Sequence, residues 1–307
     1  MGRHKLCHTV IGMRLALYVM ILVFLLVVGF ITVLVFVLTP ADRRLLFSQS
    51  QSLQVNNTKR TYKLLDVDTD EPKSLIIALH GFRDRPEWLA AYSGLHLLAE
   101  QENAVMALPQ GKRQSWNGSF CCGWAWRNNT EDTKFILEMV DSIKENYRID
   151  EQRVYVVGFS NGGILAQKLL SESPDTFAAG VAVMSGVGDR NAALDISDAT
   201  SPLLLVNGTD DNYVPLEAPR QTSEFNFLPA FTTSNTWAEH YGLINRQEEP
   251  GSGFTRYSWA NDSSRQLEQH IYQTTHRWPE WRLWSLPSQV PDSTQAMWDF
   301  LTHPRQD

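Results

Sequence analysis

The segment Val154-Tyr155-Val156-Val157-Gly158-Phe159-Ser160-Asn161-Gly162-Gly163, running on into the apolar stretch Ile164–Leu170, restricts this chain to few folds. It reads as a β-strand, a G-x-S-x-G turn and then a helix, the context that gives this motif its meaning. A turn sharp enough to thrust a serine hydroxyl into the open strains the serine backbone. Side chains two positions to either side would collide, and Gly158 and Gly162 remove them. The following helix aims its first N–H groups and positive dipole end at the serine, where an oxyanion would develop during acyl transfer. A glycine-rich strand-to-helix turn can also be kept for packing alone, as in nucleotide-binding folds, but the flanking strand and helix favour a reactive serine.

Elsewhere, short apolar runs of strand type alternate with stretches of helical periodicity, which predicts an α/β fold with a mainly parallel sheet and helices on both faces. Core strands are expected at Leu75–Leu79, Val105–Leu108, Val154–Val157, Gly180–Met184 and Leu203–Val206. Ile136, Val140, Ile143 and Tyr147 fall on one helical face. Ala296, Met297, Phe300 and Leu301 give a last helix its apolar stripe behind an Asp292/Ser293 cap. Ligands of such sheets bind beyond the carboxyl ends of the strands, so the residues just after each run carry the functional reading.

A serine hydroxyl is a weak nucleophile until a base takes its proton and a carboxylate orients that base. On this fold both partners follow the serine in the chain, acid before histidine. Pro202–Val206 is a buried strand that ends in Asn207-Gly208-Thr209-Asp210-Asp211, and spacing alone does not choose between the two carboxylates. Of the later histidines, His240 falls in a helix, His270 in a strand and His303 beyond the last helix. His276 follows a strand in an aromatic loop (THRWPEW), where an imidazole can reach the serine. Upstream, Leu75–Leu79 leads into His80-Gly81-Phe82, where the backbone N–H of Phe82 would join that of Asn161 in an oxyanion hole. His80 reads as a brace for that loop.

The apolar run Leu15–Leu38 carries no charge and is long enough as a helix to cross a bilayer of roughly 30 Å. It is expected to be an uncleaved membrane anchor rather than a cleaved signal. Arg3, Lys5 and Arg14 before it place residues 1–14 in the cytoplasm and the large domain outside, with secretion as the alternative if the run is removed. Residues 39–60, rich in Ser, Gln and Asn, read as a polar tether, and residues 61–307 as the catalytic domain. The net charge of -7 argues against a nucleic-acid partner. No His/Cys/Asp cluster has ligand spacing, so neither metal nor cofactor is implied. Oligomeric state is not encoded legibly. The three cysteines form no disulfide framework, and a bond between neighbours Cys121 and Cys122 would be strained across a trans peptide. Asn-x-Ser/Thr patterns begin at Asn56, Asn117, Asn128, Asn207 and Asn261.

Taken together, LHGFRD (79–84), SGL (93–95), LPQG (108–111), SWNGSFCCGWA (115–125), GFSNGG (158–163), NGTDDNYVP (207–215), HRWP (276–279) and WDF (298–300) resemble the polyhydroxybutyrate depolymerase and feruloyl esterase family of α/β-hydrolases. The resemblance runs from about Thr61 to His303. Its G-T-x-D pattern puts the triad acid on Asp211, and its H-x-W-P pattern puts the base on His276. It also implies that Trp116, Cys121, Cys122 and Trp278 lie near the cleft as substrate-binding residues. The expected activity is hydrolysis of hydroxybutyrate-type, feruloyl or acetyl esters through an acyl-serine. A serine peptidase on the same fold and an inactive, membrane-displayed binding protein are the competitors. The chain departs from the family in having Thr274 and Thr275 before the histidine, Glu280 where a glycine usually follows the proline, and Arg83-Asp84-Arg85 where the loop usually carries small residues.

Overall fold

In the computed structural model the described residues are 17–29, 39–66, 71–188, 194–217, 220–221, 226–261, 264–281 and 288–303. The chain divides into two compact units, Met1–Arg44 and Leu45–Asp307. In the first, residues 17–29 are helical and their apolar side chains are exposed. The rest of the expected span Leu15–Leu38 lies outside the described residues, and no helix among them is long and apolar enough to cross a membrane. A helix at Pro40–Phe47 starts behind a reciprocal cap. The Asp42 N–H donates to Thr39 Oγ1 (3.1 Å), while the Thr39 N–H donates to Asp42 Oδ2 (2.9 Å).

The expected tether is therefore a helix followed by a hairpin. Ser50–Val55 (β1) and Thr58–Leu65 (β2) pair antiparallel, and β2 joins the main sheet against Val105–Pro109 (β4). Alternation explains why polarity misled here. In β2 only Arg60, Tyr62 and Leu65 are buried and in β1 only Val55, with Leu53 and Leu64 half-buried against the core, so the hairpin reads as polar although it packs.

Arg220–Gln221 (β8) and Asn226–Phe227 (β9) pair in a separate small ribbon, and the other ten strands, whose remaining ranges follow, form one sheet in the order β1-β2-β4-β3-β5-β6-β7-β12-β11-β10. Its parallel centre comprises β4, Lys73–Leu79 (β3), Ile149–Phe159 (β5), Ala179–Val183 (β6), Leu203–Gly208 (β7) and Ser264–Tyr272 (β12). Asn245–Pro250 (β10) and Phe254–Asn261 (β11) close the far side antiparallel. The central strands match the expected apolar runs because both faces are covered and nearly every side chain is buried.

Successive side chains feed two cores. Leu75, Ile77 and Leu79, with Val154, Val156, Leu203 and Leu205, pack toward the helices Asp132–Asn146 and Asn161–Glu172. Ile76, Ala78, Tyr155, Val157, Leu204 and Val206 face the opposite layer, with Pro86–Ser93, Leu95–Gln101 and Asp292–Thr302. The last helix buries Met297, Phe300 and Leu301, but its expected Asp292/Ser293 cap is replaced. Pro291 stands at the N-cap, and the Glu280 carboxylate accepts both the Ser293 N–H (2.8 Å) and its hydroxyl (2.7 Å). From β3 the chain passes to β4 on one side, and then to β5 on the other, so the sheet switches direction between β3 and β5. The loops after these two strands diverge there and leave a crevice at the carboxyl edge.

Candidate active site

Ser160 stands at that crevice, at the end of β5, with φ 52° and ψ -116°. This is a left-handed backbone that side chains rarely adopt, and it lifts the hydroxyl clear of the sheet. The Ser160 N–H donates to Val183 O (2.8 Å), tying the elbow to β6. A Cβ at Gly158 would land on the Gly162 carbonyl. One at Gly162 would land on the Leu79 carbonyl and come within 2.6 Å of the His80 carbonyl. The two glycines thus let the elbow close on itself and sit against the end of β3.

The loop after β12 carries His276 to the serine. The Ser160 hydroxyl lies 2.8 Å from His276 Nε2, placed to donate to it, and His276 Nδ1–H lies 2.7 Å from Asp211 Oδ2. The other Asp211 oxygen accepts the N–H groups of Tyr213 (2.7 Å) and Val214 (3.0 Å), so the buried carboxylate is held from both ends. Asp210 stays exposed and takes the Thr209 hydroxyl (3.0 Å). The β7 and β12 loops are also joined through backbone, Thr209 N–H to Tyr272 O (2.9 Å) and Asp210 N–H to Thr274 O (3.0 Å). A Cβ at Gly208 would strike the Thr274 carbonyl, so this glycine sets how closely the acid loop approaches the histidine loop. The rings of Phe159 and Tyr213 flank the imidazole at 5.6 and 4.8 Å.

His80 is wholly buried. Its Nδ1–H donates to Gly81 O (2.7 Å) and its Nε2 accepts the Gly111 N–H (3.0 Å), so the ring is locked as a neutral brace between the loops after β3 and β4. Burial pushes its pKa down to about 4. Phe82 follows, partly exposed, and Asn161 is the first residue of the helix, where no preceding turn accepts its N–H. The Asn161 side chain holds the loop that faces it. Its Oδ1 accepts the Trp116 N–H (2.7 Å), and its Nδ2 donates to Trp116 O (3.1 Å) and Cys121 O (2.9 Å). Sequence reasoning assigned Asn161 only a backbone role, and nothing in the spacing signalled this clamp.

Trp116 and Trp278, expected to meet substrate, are instead inside the core. Trp116 donates Nε1–H to His80 O (2.8 Å) and Trp278 to Thr294 Oγ1 (3.1 Å), so burial of each indole is satisfied by an internal partner. Cys121 and Cys122, joined by a vicinal disulfide across a cis peptide rather than the trans one assumed from sequence, are buried with Phe120, Ile164 and Val214 beneath the crevice. Glu280 has φ 64°, which explains why a glycine suits that position; here the residue takes up the left-handed backbone and caps the last helix. Of the glycosylation patterns, Asn56 and Asn128 are exposed, Asn117 and Asn207 are buried, and the Asn261 side chain lies outside the described residues. No group of three or more metal-ligating side chains occurs among the described residues.

A mainly parallel sheet covered on both faces, with a strained serine at its switch point, is the architecture of an α/β-hydrolase. Among solved structures, the acetyl xylan esterase of Aspergillus awamori aligns with a TM-score of 0.54 at 15% identity, over 74% of this chain and 94% of that one. Residues 115–195 match the prolyl oligopeptidase family. NocK of Nocardia uniformis subsp. tsuyamanensis, named as an esterase, is 27% identical over 68% of this chain and 66% of its own length. Poly(3-hydroxyalkanoate) depolymerase C of Paucimonas lemoignei is 33% identical over 36% of this chain and 28% of its own. Other relatives are named as a bifunctional acetylxylan esterase/xylanase and feruloyl esterases. The chain thus spans two thirds or less of the length of these curated relatives.

Proposed function

We propose that this protein is a serine ester hydrolase held at a membrane by its N-terminal apolar helix. The observation that carries the reading is the continuous relay from Asp211 through His276 to the Ser160 hydroxyl, with contacts of 2.7 and 2.8 Å. His276 takes the Ser160 proton as the hydroxyl attacks an ester carbonyl, and Asp211 orients the imidazole and stabilises its charged form. The N–H groups of Phe82 and Asn161 receive the oxyanion, each donor being worth roughly 3–4 kcal/mol in comparable sites. Collapse expels the alcohol with the proton from His276 and leaves an acyl-serine. Water, deprotonated by His276, then attacks the acyl carbon and releases the acid.

The esterase names of the relatives support the ester bond as target and make acetylated or feruloylated saccharides and hydroxyalkanoate oligomers the first substrates to screen. The match of residues 115–195 to the prolyl oligopeptidase family favours amide cleavage as the second reading. Incubation with a fluorophosphonate followed by peptide mass spectrometry is expected to find the adduct on Ser160. A panel of p-nitrophenyl esters beside peptide p-nitroanilides then separates the two bonds. A folded protein without adduct overturns the hydrolase reading, and equal efficiency on amides overturns the esterase reading. Membrane attachment is supported by the uncharged Leu15–Leu38 run and the exposed apolar side chains of residues 17–29. Release of the protein from membranes by alkaline carbonate would refute it.

A further inference from the structure

The side of the crevice formed by the loops after β3 and β4 carries an excess of cations that the reaction described above does not use. Arg83 and Arg85 follow β3, and Lys112 and Arg113 follow β4. The two loops are joined by the Arg83 N–H to Gln114 O bond (2.8 Å), and Phe82 lies against Gly123, which opens the helix bearing Trp124. Arg277 follows His276 directly, and its partner ring Trp281 meets Tyr92 (5.9 Å), which in turn packs on Phe159 (6.0 Å). Arg83, Arg113 and Arg277 therefore lie on the loops that border the crevice, while Lys112 and Trp124 also line a neighbouring pocket toward the β1–β2 turn.

Each cation overlies an aromatic ring: Arg83 on Phe82 (5.1 Å), Arg85 on Trp88 (5.5 Å), Lys112 and Arg113 on Trp124 (5.5 and 5.1 Å), and Arg277 on Trp281 (5.2 Å). Arg85 lies in the field of Glu87, whose carboxyl it helps to hold below its usual pKa, although Lys63 does most of that. Arg83, Lys112, Arg113 and Arg277 form no ion pair among the described residues. Glu131 shares a pocket with Lys112 and Trp124, whereas two other nearby carboxylates are turned away. Asp84 takes the Tyr92 hydroxyl (2.8 Å) and the Arg85 N–H (2.7 Å), and Glu280 caps the last helix. The exposed carboxylates Asp210 and Glu217 follow β7, on the opposite flank.

Backbone geometry adds an independent argument. Arg83 (φ 61°) and Arg113 (φ 50°) both occupy the left-handed region, where a glycine would be unstrained. A β-carbon there costs on the order of 1 kcal/mol, so two long cationic side chains persist in this chain at positions that locally disfavour them. A carrier of net charge -7 that gathers on one flank several cations with no ion pair among the described residues directs an anionic ligand to that flank. Phe82 and Trp88 are themselves exposed, each with a guanidinium near its ring, so this flank presents charge beside its apolar surface.

We infer that this flank binds a carboxylate carried by the substrate, so that the enzyme prefers esters bearing an ionised carboxyl group over neutral esters of the same shape. The inference rests on the esterase reading and names the substrate class of that site. Guanidinium groups suit a carboxylate because their paired N–H donors match its two oxygens. The test uses the full chain in a non-ionic detergent with two matched pairs of substrates. On the acyl side these are p-nitrophenyl hemisuccinate and p-nitrophenyl butyrate, each corrected for its uncatalysed hydrolysis. On the alcohol side they are O-acetylated polygalacturonate and O-acetylated xylan.

At least one pair is expected to show about tenfold higher kcat/KM for the anionic member at low salt, equivalent to about 1.4 kcal/mol. The preference should shrink toward parity near 0.5 M NaCl, where screening is nearly complete. Arg83→Gln with Arg113→Gln should abolish the preference, whereas the two Lys substitutions should retain most of it. Parity in both pairs, or a preference indifferent to salt, overturns the inference while leaving the esterase reading intact. Retention on immobilised polygalacturonate, salt-sensitive and lost in the Gln pair, reads the anion site even if no ester is cleaved. No retention, with phosphatidylserine vesicle binding that depends on the same two arginines, would assign the flank to a lipid surface and overturn the proposal.

Discussion

Replacing Asn161 with alanine separates the clamp made by its side chain from any role of its backbone N–H, which the substitution keeps. Three hydrogen bonds disappear, to Trp116 N–H, Trp116 O and Cys121 O, and both loop residues are fully buried. At about 1 kcal/mol each the bonds account for about 3 kcal/mol, and the stranded Trp116 N–H raises the total toward 4 or 5 kcal/mol. For a domain of this size each kcal/mol shifts Tm by roughly 2–4 °C, so a fall of about 8–20 °C is expected. Asn161→Asp is the sharper variant. It keeps an acceptor for Trp116 N–H but faces two carbonyl oxygens with a third oxygen, and it should be no more stable than the alanine variant. The assay is thermal unfolding of the purified chain followed by intrinsic tryptophan fluorescence, with p-nitrophenyl acetate kinetics alongside. An alanine variant melting within 2 °C of wild type, or an aspartate variant as stable as wild type, would show that the loop holds its place without Asn161.

Gly162→Ala should cost at least about 3 kcal/mol, because its Cβ meets two carbonyls of the β3 end that cannot yield, and denaturant unfolding would measure it. His80 should stay neutral well below pH 6, since burial holds its pKa near 4, and histidine ring NMR shifts would follow this directly. An unfolded histidine takes up its proton near pH 6.5 while the folded one does not. The contribution of His80 is therefore intact above about pH 6.5 and is lost as pH falls toward 4, by up to about 3 kcal/mol. Arg60→Met leaves the buried Asp132 carboxylate without its 2.7 Å partner and should cost about 3–5 kcal/mol. Burial already raises the Asp132 pKa, so that loss should deepen as pH rises through the raised value, which denaturation at several pH values would reveal. Glu280→Ala should lose the cap on the last helix and keep the left-handed strain, lowering stability by about 1 kcal/mol, whereas Glu280→Gly should offset that loss by relieving the strain.

How much of this molecule was readable from sequence depended on what each residue's job required of it. The central strands were legible because burial on both faces leaves uninterrupted apolar runs such as Leu75–Leu79 and Leu203–Val206. The elbow was legible because steric exclusion forces glycine at positions 158 and 162. The β1–β2 hairpin was missed because an edge strand wetted on one face, such as SQSLQV, has the composition of a linker. Trp116 and Trp278 were misplaced because an indole looks the same in sequence whether it faces a ligand or donates to an internal oxygen. The Asn161 clamp and the inward turn of Asp84 depend on partners far away in the chain, which no local pattern records. Among the site residues, backbone demands left a signature in the sequence and side-chain partnerships left almost none.

The antiparallel ribbons on either side of the parallel strands also bear on how this protein behaves when crowded. The outermost strand on one side, Asn245–Pro250, is exposed along its whole length and carries Arg246, Glu248, Glu249 and a terminal proline. The outermost strand on the other side is a short run of Ser and Gln that buries a single valine. A neighbouring copy seeking to extend the sheet would have to desolvate charge at one border and gain almost no apolar contact at the other. A high local concentration would therefore offer no template for fibrous stacking.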